Sequence, residues 1–352
     1  MIKDNFLLII KLKNLLHNYN FFKNRKKNII IAPTIKANAY GLGDKKIFKL
    51  FVKEKVKNFF VATVEEGINL KNKNKSINIY VLNGIQNYSL DLFSKYNLIP
   101  IVNSNAELKR ISSYNLIFGL HIDTGINRLG INYNQIPKNV FKNKKIKIVL
   151  SHLSSADEKN NKYNLIQKSR FEQIINKFNN NKIIFSLSNS NGISLSNEFL
   201  FDMVRPGIGI YGGNHKSYFL KKNLKHVIEV KGKIIQIKTI NKGEFIGYNQ
   251  TYKTKSKRIV AIIGVGYADG IPRLLSNRGM VYFKKMKFNI VGRISMDSFT
   301  IDITKAEKVL KVGMFVDIIN EKNDIEKFAD HCNTISNEFL TSIGSRVKRI
   351  YV

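Results

Sequence analysis

The chain has 352 residues, 43% of them hydrophobic, which allows one large domain and a smaller one and matches ordinary soluble globular proteins. Its formal net charge is +34, but the basic residues sit in scattered pairs and triples among Asn, in a chain rich in Lys, Asn, Ile, Phe and Tyr and lacking Trp. That pattern reflects an AT-rich coding sequence rather than a binding face, so no nucleic acid is expected as a partner.

The first apolar run, 6–10, follows Lys3 and Asp4 and is interrupted by Lys11 and Lys13. A secretory signal needs about 7 to 15 uninterrupted apolar residues, and a membrane span about 20. Neither is present, and the single Cys332 can form no internal disulfide. A cytoplasmic setting without a membrane partner is expected.

Eight apolar runs follow, at 28–36, 58–63, 77–83, 98–103, 116–123, 146–152, 183–187 and 203–211. They are rich in Ile, Val and Phe and lack polar alternation, as strands covered on both faces of a parallel sheet do. Between them, Phe171, Ile174, Ile175 and Phe178 form a helical stripe facing a sheet. Eight such units fit a (β/α)₈ barrel, although length equally allows an open doubly wound sheet. From about residue 223 the pattern changes to β-like segments at 227–239, 258–265, 280–283, 288–291, 299–303 and 314–319. The expected fold is α/β: a (β/α)₈ TIM barrel over 1–225 and a mainly β domain over 226–352.

Lys36 closes the first of the eight runs, followed by Ala37-Asn38-Ala39-Tyr40-Gly41-Leu42-Gly43. The C-terminal ends of barrel strands build the active site. A lysine amine there, partly desolvated, can form a Schiff base with an aldehyde cofactor. In a chain this rich in lysine, Lys36 alone reads more readily as a surface lysine at a strand end. Ser190, in Asn189-Ser190-Asn191-Gly192, follows the seventh run, where barrel phosphate sites commonly lie.

The segment 35–43 resembles the pyridoxal-phosphate attachment motif of alanine racemases, enzymes of fold type III. Five further segments fall in that family's order: 121–130 (His-Ile-Asp-Thr-Gly-Ile-Asn-Arg-Leu-Gly), 151–158, 203–212 (Met-Val-Arg-Pro-Gly-Ile-Gly-Ile-Tyr-Gly), 265–273 and 291–297. The resemblance covers essentially the whole chain.

It implies an isomerase that interconverts L-alanine and D-alanine with pyridoxal 5′-phosphate, supplying D-alanine for peptidoglycan. Lys36 would carry the cofactor and act as base on one face of Cα. Tyr267, from the partner subunit of a homodimer, would act on the other face, because racemisation needs two opposed proton-transfer groups. A tyrosine with a pKa near 10 needs its phenolate stabilised, which the resemblance assigns partly to His152. Arg205 would donate to the pyridine nitrogen and keep it unprotonated. The phosphate would rest on the Gly207 and Ile208 amides with Tyr40 and Ser190; Arg128 and the Met296 backbone would hold the substrate carboxylate. No metal is expected.

Three positions depart from the family's pattern. His121 stands where many members carry a carbamylated lysine, so Arg128 needs another positioning group, such as His121 itself, an anion or water. Asn337 replaces a tyrosine that contacts the phosphate and narrows the entrance, which implies weaker cofactor retention. Asn249 stands where glycine is more usual, at a position expected to be left-handed. The competing readings are a racemase for another small amino acid, a related barrel decarboxylase and a non-catalytic cofactor carrier. Arg205 argues against the second, Tyr267 and Met296 against the third.

Overall fold

Each of the eight apolar runs contains a strand in the computed structural model, which describes residues 4–70, 76–179, 182–214 and 217–352. The basic run 71–75 lies outside the described residues. In chain order the first strands are β1 (Phe6–Ile10), β2 (Ile30–Ile31), β3 (Asn58–Val61), β4 (Asn78–Val81) and β5 (Leu98–Val102). They are followed by β6 (Phe118–Asp123), β7 (Ile131–Asn132), β8 (Ile146–Leu150), β9 (Ile184–Ser186) and β10 (Met203–Val204).

β3, β4, β5, β6, β8 and β9 pair in parallel in that order, β7 is a short addition to β6, and β10 pairs in parallel with β2. Backbone bonds beyond these ladders close the ring. Phe60 N–H donates to Pro33 O at 3.0 Å and Ile35 N–H to Phe60 O at 2.8 Å, joining the β2 segment to β3. Asp202 N–H donates to Phe185 O at 3.0 Å and Arg205 N–H to Ser188 O at 2.9 Å, joining β9 to β10. Closure excludes the open sheet and gives the (β/α)₈ barrel.

A buried cluster of Ala32, Phe60, Tyr80, Ile99, Ile101, Ile148, Leu150 and Met203, contributed by the β2 segment and by β3, β4, β5, β8 and β10, fills the barrel. Phe60 and Tyr80 stack at 4.7 Å between centroids, and each such ring fully buried stabilises by roughly 1.5–3 kcal/mol. Gly119 is small because an added methyl would fall 2.3 Å from Ile101 Cδ1 and 2.7 Å from Ile148 Cγ2. The helix Tyr163–Ile175 buries Asn164, Gln167, Phe171 and Ile174. The predicted stripe is thus partly right: Phe178 lies beyond the helix, edge-on to Phe141 at 5.0 Å, and two of the buried positions are polar.

The second unit contains β11 (Ile228–Ile240), β12 (Phe245–Ile246), β13 (Tyr252–Lys253), β14 (Arg258–Ile263), β15 (Met280–Phe283), β16 (Met286–Val291), β17 (Phe299–Asp302), β18 (Phe315–Ile319) and β19 (Lys348–Tyr351). Its main sheet runs β14-β17-β16-β15-β18-β11-β1-β19, and β11 also pairs with β14, so the sheet returns on itself. A bulge between Ile234 and Gln236 lies where the long β11, already paired with β1 and β18, pairs with β14.

The expected boundary of 1–225 needs a correction at the N-terminus. β1 pairs antiparallel with β11, Phe6 opposite Gly232, and parallel with β19, Leu7 opposite Lys348. The chain through Leu15 therefore packs with 225–352, and the barrel unit begins at Leu16. A run of five apolar residues has the composition of a barrel strand; which sheet it joins depends on partners more than 200 residues away.

Candidate active site

Lys36 follows β2 at its C-terminal end, and the next four residues adopt an unusual backbone. Ala37, Asn38, Ala39 and Tyr40 have φ of 50, 54, 52 and 54°, a left-handed conformation that costs L-residues roughly 1–2 kcal/mol each. Local bonds support it: Ala39 N–H donates to Ile35 O (2.9 Å), Gly41 N–H to Ala37 O (2.8 Å) and Asp44 N–H to Asn38 Oδ1 (2.9 Å). Ala37 N–H donates to Glu66 Oε1 at 2.6 Å, a partner the sequence reading did not find. Burial lowers the Lys36 pKa, Arg128 lowers it further, and Glu66 acts in the opposite sense.

Arg205, one residue past β10, is 6% exposed. It donates to Ser186 Oγ and Ser151 O at 2.5 Å each and to Leu187 O at 3.3 Å. Among the described residues no carboxylate pairs with it, and burial pulls its pKa down to about 9, still protonated at neutral pH. His152 is held well below its ordinary pKa by burial, then by Arg205, Arg128, His121 and Lys36. Its Nε2 lies 3.5 Å from Asn189 Nδ2. Gln167 fixes the His152 segment, donating to His152 O at 3.0 Å and accepting from Ser154 N–H at 2.9 Å. The barrel thus brings Lys36, Arg128, His121 and Arg205 within electrostatic reach of His152.

His121 is 5% exposed, and its Nδ1 lies 2.8 Å from Asn103 Oδ1. Asn103 spends its amide hydrogens on Leu82 O and Ile101 O, both at 2.9 Å. Its Oδ1 is therefore an acceptor, and His121 donates from Nδ1. His121 Nε2 is buried with no partner among the described residues, and burial followed by Arg205 and Arg128 takes its pKa to about 3.

Beside β9 and β10, Ser190 Oγ accepts from the Gly207 and Gly209 amides at 3.0 Å each. Ile208 between them is buried, as is Tyr40. An added methyl at Gly207 would fall 2.2 Å from the Tyr40 hydroxyl, so only glycine lets the two segments approach. The Gly207 amide, expected on a phosphate, is thus engaged by Ser190 Oγ in this structure; the two hydroxyls beside the tight glycine loop and the uncompensated buried guanidinium are donors suited to a phosphorylated aromatic cofactor.

Tyr267 and Met296 belong to the second unit, where they lie together. Tyr267 N–H donates to Ser295 O (3.1 Å) and Ala268 N–H to Met296 O (3.0 Å). Arg346 joins their loops through Asp269 at 2.6 Å and Asp297 at 2.7 Å. Tyr267 is 44% and Met296 53% exposed. Asn249 has φ of 58°, the left-handed conformation anticipated for it. Asn337, in the helix Ser336–Ser342, has a buried Oδ1 with no partner among the described residues. Among those residues, no cluster of three His, Cys, Asp or Glu could hold a metal, and no helix is long and apolar enough to cross a membrane.

Residues 10–215 match the family model of the alanine racemase N-terminal domain, and residues 227–351 that of the C-terminal domain. Alanine racemase of Rickettsia bellii (strain RML369-C) is 37% identical over 338 residues, covering 92% of this chain and 82% of the relative. That of Rickettsia africae (strain ESF-5) is 36% identical over 361 residues, covering 97% and 98%. Among solved structures, alanine racemase from Bartonella henselae with covalently bound pyridoxal phosphate superimposes with a TM-score of 0.92 at 33% identity, covering 99% of this chain and all of the other.

Proposed function

The chain belongs to the alanine racemase family, and from that premise we propose that it interconverts L- and D-alanine by two-base proton transfer with pyridoxal 5′-phosphate. The observation that carries this reading is the convergence at one end of the barrel of a half-buried lysine, a buried arginine without a carboxylate partner among the described residues, and a serine-capped glycine loop.

Lys36 would hold the cofactor covalently and Arg205 its ring nitrogen; Ser190, Gly207, Ile208 and Tyr40 would hold its phosphate. Bound pyridoxal 5′-phosphate supplies an electron sink for the pair left behind when the α-proton departs. Lys36, with its charged form disfavoured, is neutral more often than an exposed lysine and can accept that proton. Tyr267 of a second copy serves the opposite face, a role supported by its exposure and by its loop's bonds to the Met296 segment. His152, kept neutral, interacts with that tyrosine without adding a charge. Arg205 donates to the ring nitrogen and leaves it unprotonated, which weakens the sink and limits side reactions. Arg128 and the Met296 backbone take the substrate carboxylate.

The protein is read as a cytoplasmic homodimer whose D-alanine feeds peptidoglycan. The test is chiral analysis of L- and D-alanine incubated with the pure, cofactor-loaded protein and with its Lys36→Ala variant. Interconversion by the first and none by the second is expected. Substantial racemisation by Lys36→Ala would defeat the reading.

A further inference from the structure

One device occurs twice around the barrel. Glu66 lies in the helix Val64–Asn69 that follows β3, and its Oε2 accepts from its own loop, Ala62 N–H at 2.7 Å and Thr63 N–H at 3.4 Å. Its backbone N–H returns a bond to Thr63 Oγ1 at 3.3 Å, completing a capping box. The other oxygen, Oε1, reaches the preceding strand's loop and accepts Ala37 N–H. Glu107 repeats the arrangement after β5. Its Oε2 accepts Asn103 N–H at 2.7 Å, its N–H donates to Ser104 Oγ at 3.1 Å, and its Oε1 reaches the loop after β4, accepting from Ile85 and Gln86 at 2.9 and 3.1 Å.

The two carboxylates differ in what they hold. Through Oε1 Glu107 secures the loop after β4, which contains none of the charged groups converging on His152, and through Oε2 it holds the backbone of Asn103, the partner of His121. Glu66 secures Ala37, the first of the four consecutive left-handed residues. The Ala37 N–H shares a rigid peptide plane with the Lys36 carbonyl. Holding that N–H orients this plane and restrains ψ of Lys36, and with it the direction in which the side chain leaves the backbone. Glu66 is also the carboxylate whose charge acts on the Lys36 amine, against burial and Arg128.

We infer that Glu66 is a positioning residue for Lys36, holding the left-handed turn that aims its amine. The inference rests on the reading of Lys36 as the cofactor lysine. It involves no contact of Glu66 with cofactor or substrate.

The experiment uses the full-length protein loaded with pyridoxal 5′-phosphate, comparing wild type with Glu66→Ala, Glu66→Gln and Glu107→Gln. Four quantities are measured: the fraction of Lys36 trapped by borohydride, by peptide mass spectrometry; the pH titration of the cofactor's visible band; kcat and KM separately; and Tm. Glu66→Ala should lower the trapped fraction, shift the titration and cut kcat by about tenfold to a hundredfold with little change in KM. Glu66→Gln, which keeps one acceptor oxygen, should fall between it and wild type. Glu107→Gln, whose amide oxygen still offers an acceptor to Asn103 N–H and so keeps the partner of His121 in place, should lose thermal stability yet match wild type in the first three. Should Glu66→Ala fail to fold, the Glu66→Gln comparison decides. Glu66 variants indistinguishable from Glu107→Gln, with Lys36 normally loaded in wild type, overturn this inference alone. Wild type with no cofactor on Lys36 overturns the functional reading and this inference with it.

Discussion

The Ser190 hydroxyl accepts the Gly207 N–H at 3.0 Å and the Gly209 N–H at the same distance. A hydroxyl has two lone pairs and one proton. With both lone pairs engaged, the proton must be donated outward, which makes Ser190 a donor to whatever anion the loop receives. Ser190→Ala should therefore raise the half-saturating concentration of pyridoxal 5′-phosphate and reduce stability by about 1–3 kcal/mol, the cost of leaving buried amides without an acceptor. Gly207→Ala should weaken cofactor binding more, because its methyl meets the Tyr40 hydroxyl. Fluorescence titration with the cofactor and urea unfolding check both; retention equal to wild type in Gly207→Ala would refute the cradle.

Arg205 donates to three groups and, among the described residues, has no carboxylate partner. Replacing it by Glu supplies an acid that favours a protonated ring nitrogen. Arg205→Glu should slow racemisation by at least about 10²-fold, the scale set by loss of one pre-organised donor, while pyruvate formed per racemisation event increases. Chiral chromatography and a pyruvate assay on the same samples give the ratio. An unchanged ratio would show that Arg205 does not govern the ring nitrogen.

Lys36 and Tyr267 lie in different units, and the reading assigns the two bases of one site to different copies. Lys36→Ala and Tyr267→Phe should each abolish racemisation as homodimers. In a two-fold dimer every mixed pair contains one intact site, so an equal mixture should recover about a quarter of wild-type activity. No recovery after subunit exchange, verified by native mass spectrometry, would rule out the shared site.

His121 takes its proton near pH 3 when folded, against an ordinary value of 6.5, because burial and then Arg205 and Arg128 oppose its charge. Between those values the unfolded chain binds more protons than the native one. Stability therefore rises with pH through this window and is lost on acidification, by up to about 1.4 kcal/mol per pH unit from this one group. His121→Gln removes the titration, and its unfolding free energy should fall less steeply between pH 6 and pH 4. Urea titrations across that range decide it; parallel slopes would contradict a buried neutral His121.

Asn337 has a buried Oδ1 without a partner among the described residues, at a position where the family's pattern has tyrosine. Asn337→Tyr should tighten cofactor retention several-fold, read as the residual visible band after dialysis. Retention equal or tighter in wild type would remove the significance of this departure.

Much of this protein was legible in one dimension. Strands buried on both faces leave uninterrupted Ile-, Val- and Phe-rich runs, and eight of them announced the barrel; Lys36, Ser190 and Arg205 each stand at a strand end where barrel chemistry collects. The β1 segment was not assignable, because pairing between Phe6 and Gly232 leaves no local trace. The polar contacts were equally hidden. Thr63 and Glu66 advertise a helix start three residues apart, but the bond from Ala37 to Glu66 spans 29 residues and exists only once the barrel curls two loops together.

The amino-acid sequence by itself determined that Lys36 ends a barrel strand, and six ordered motifs tied it to a racemase family. Its aim and the downward direction of its pKa shift were decided only by the tertiary structure. The left-handed turn needs the Glu66 carboxylate from another unit of the barrel, and the depressed amine needs burial together with Arg128. Desolvation and long-range charge are properties of packed space, so no spacing of residues along the chain encodes them locally.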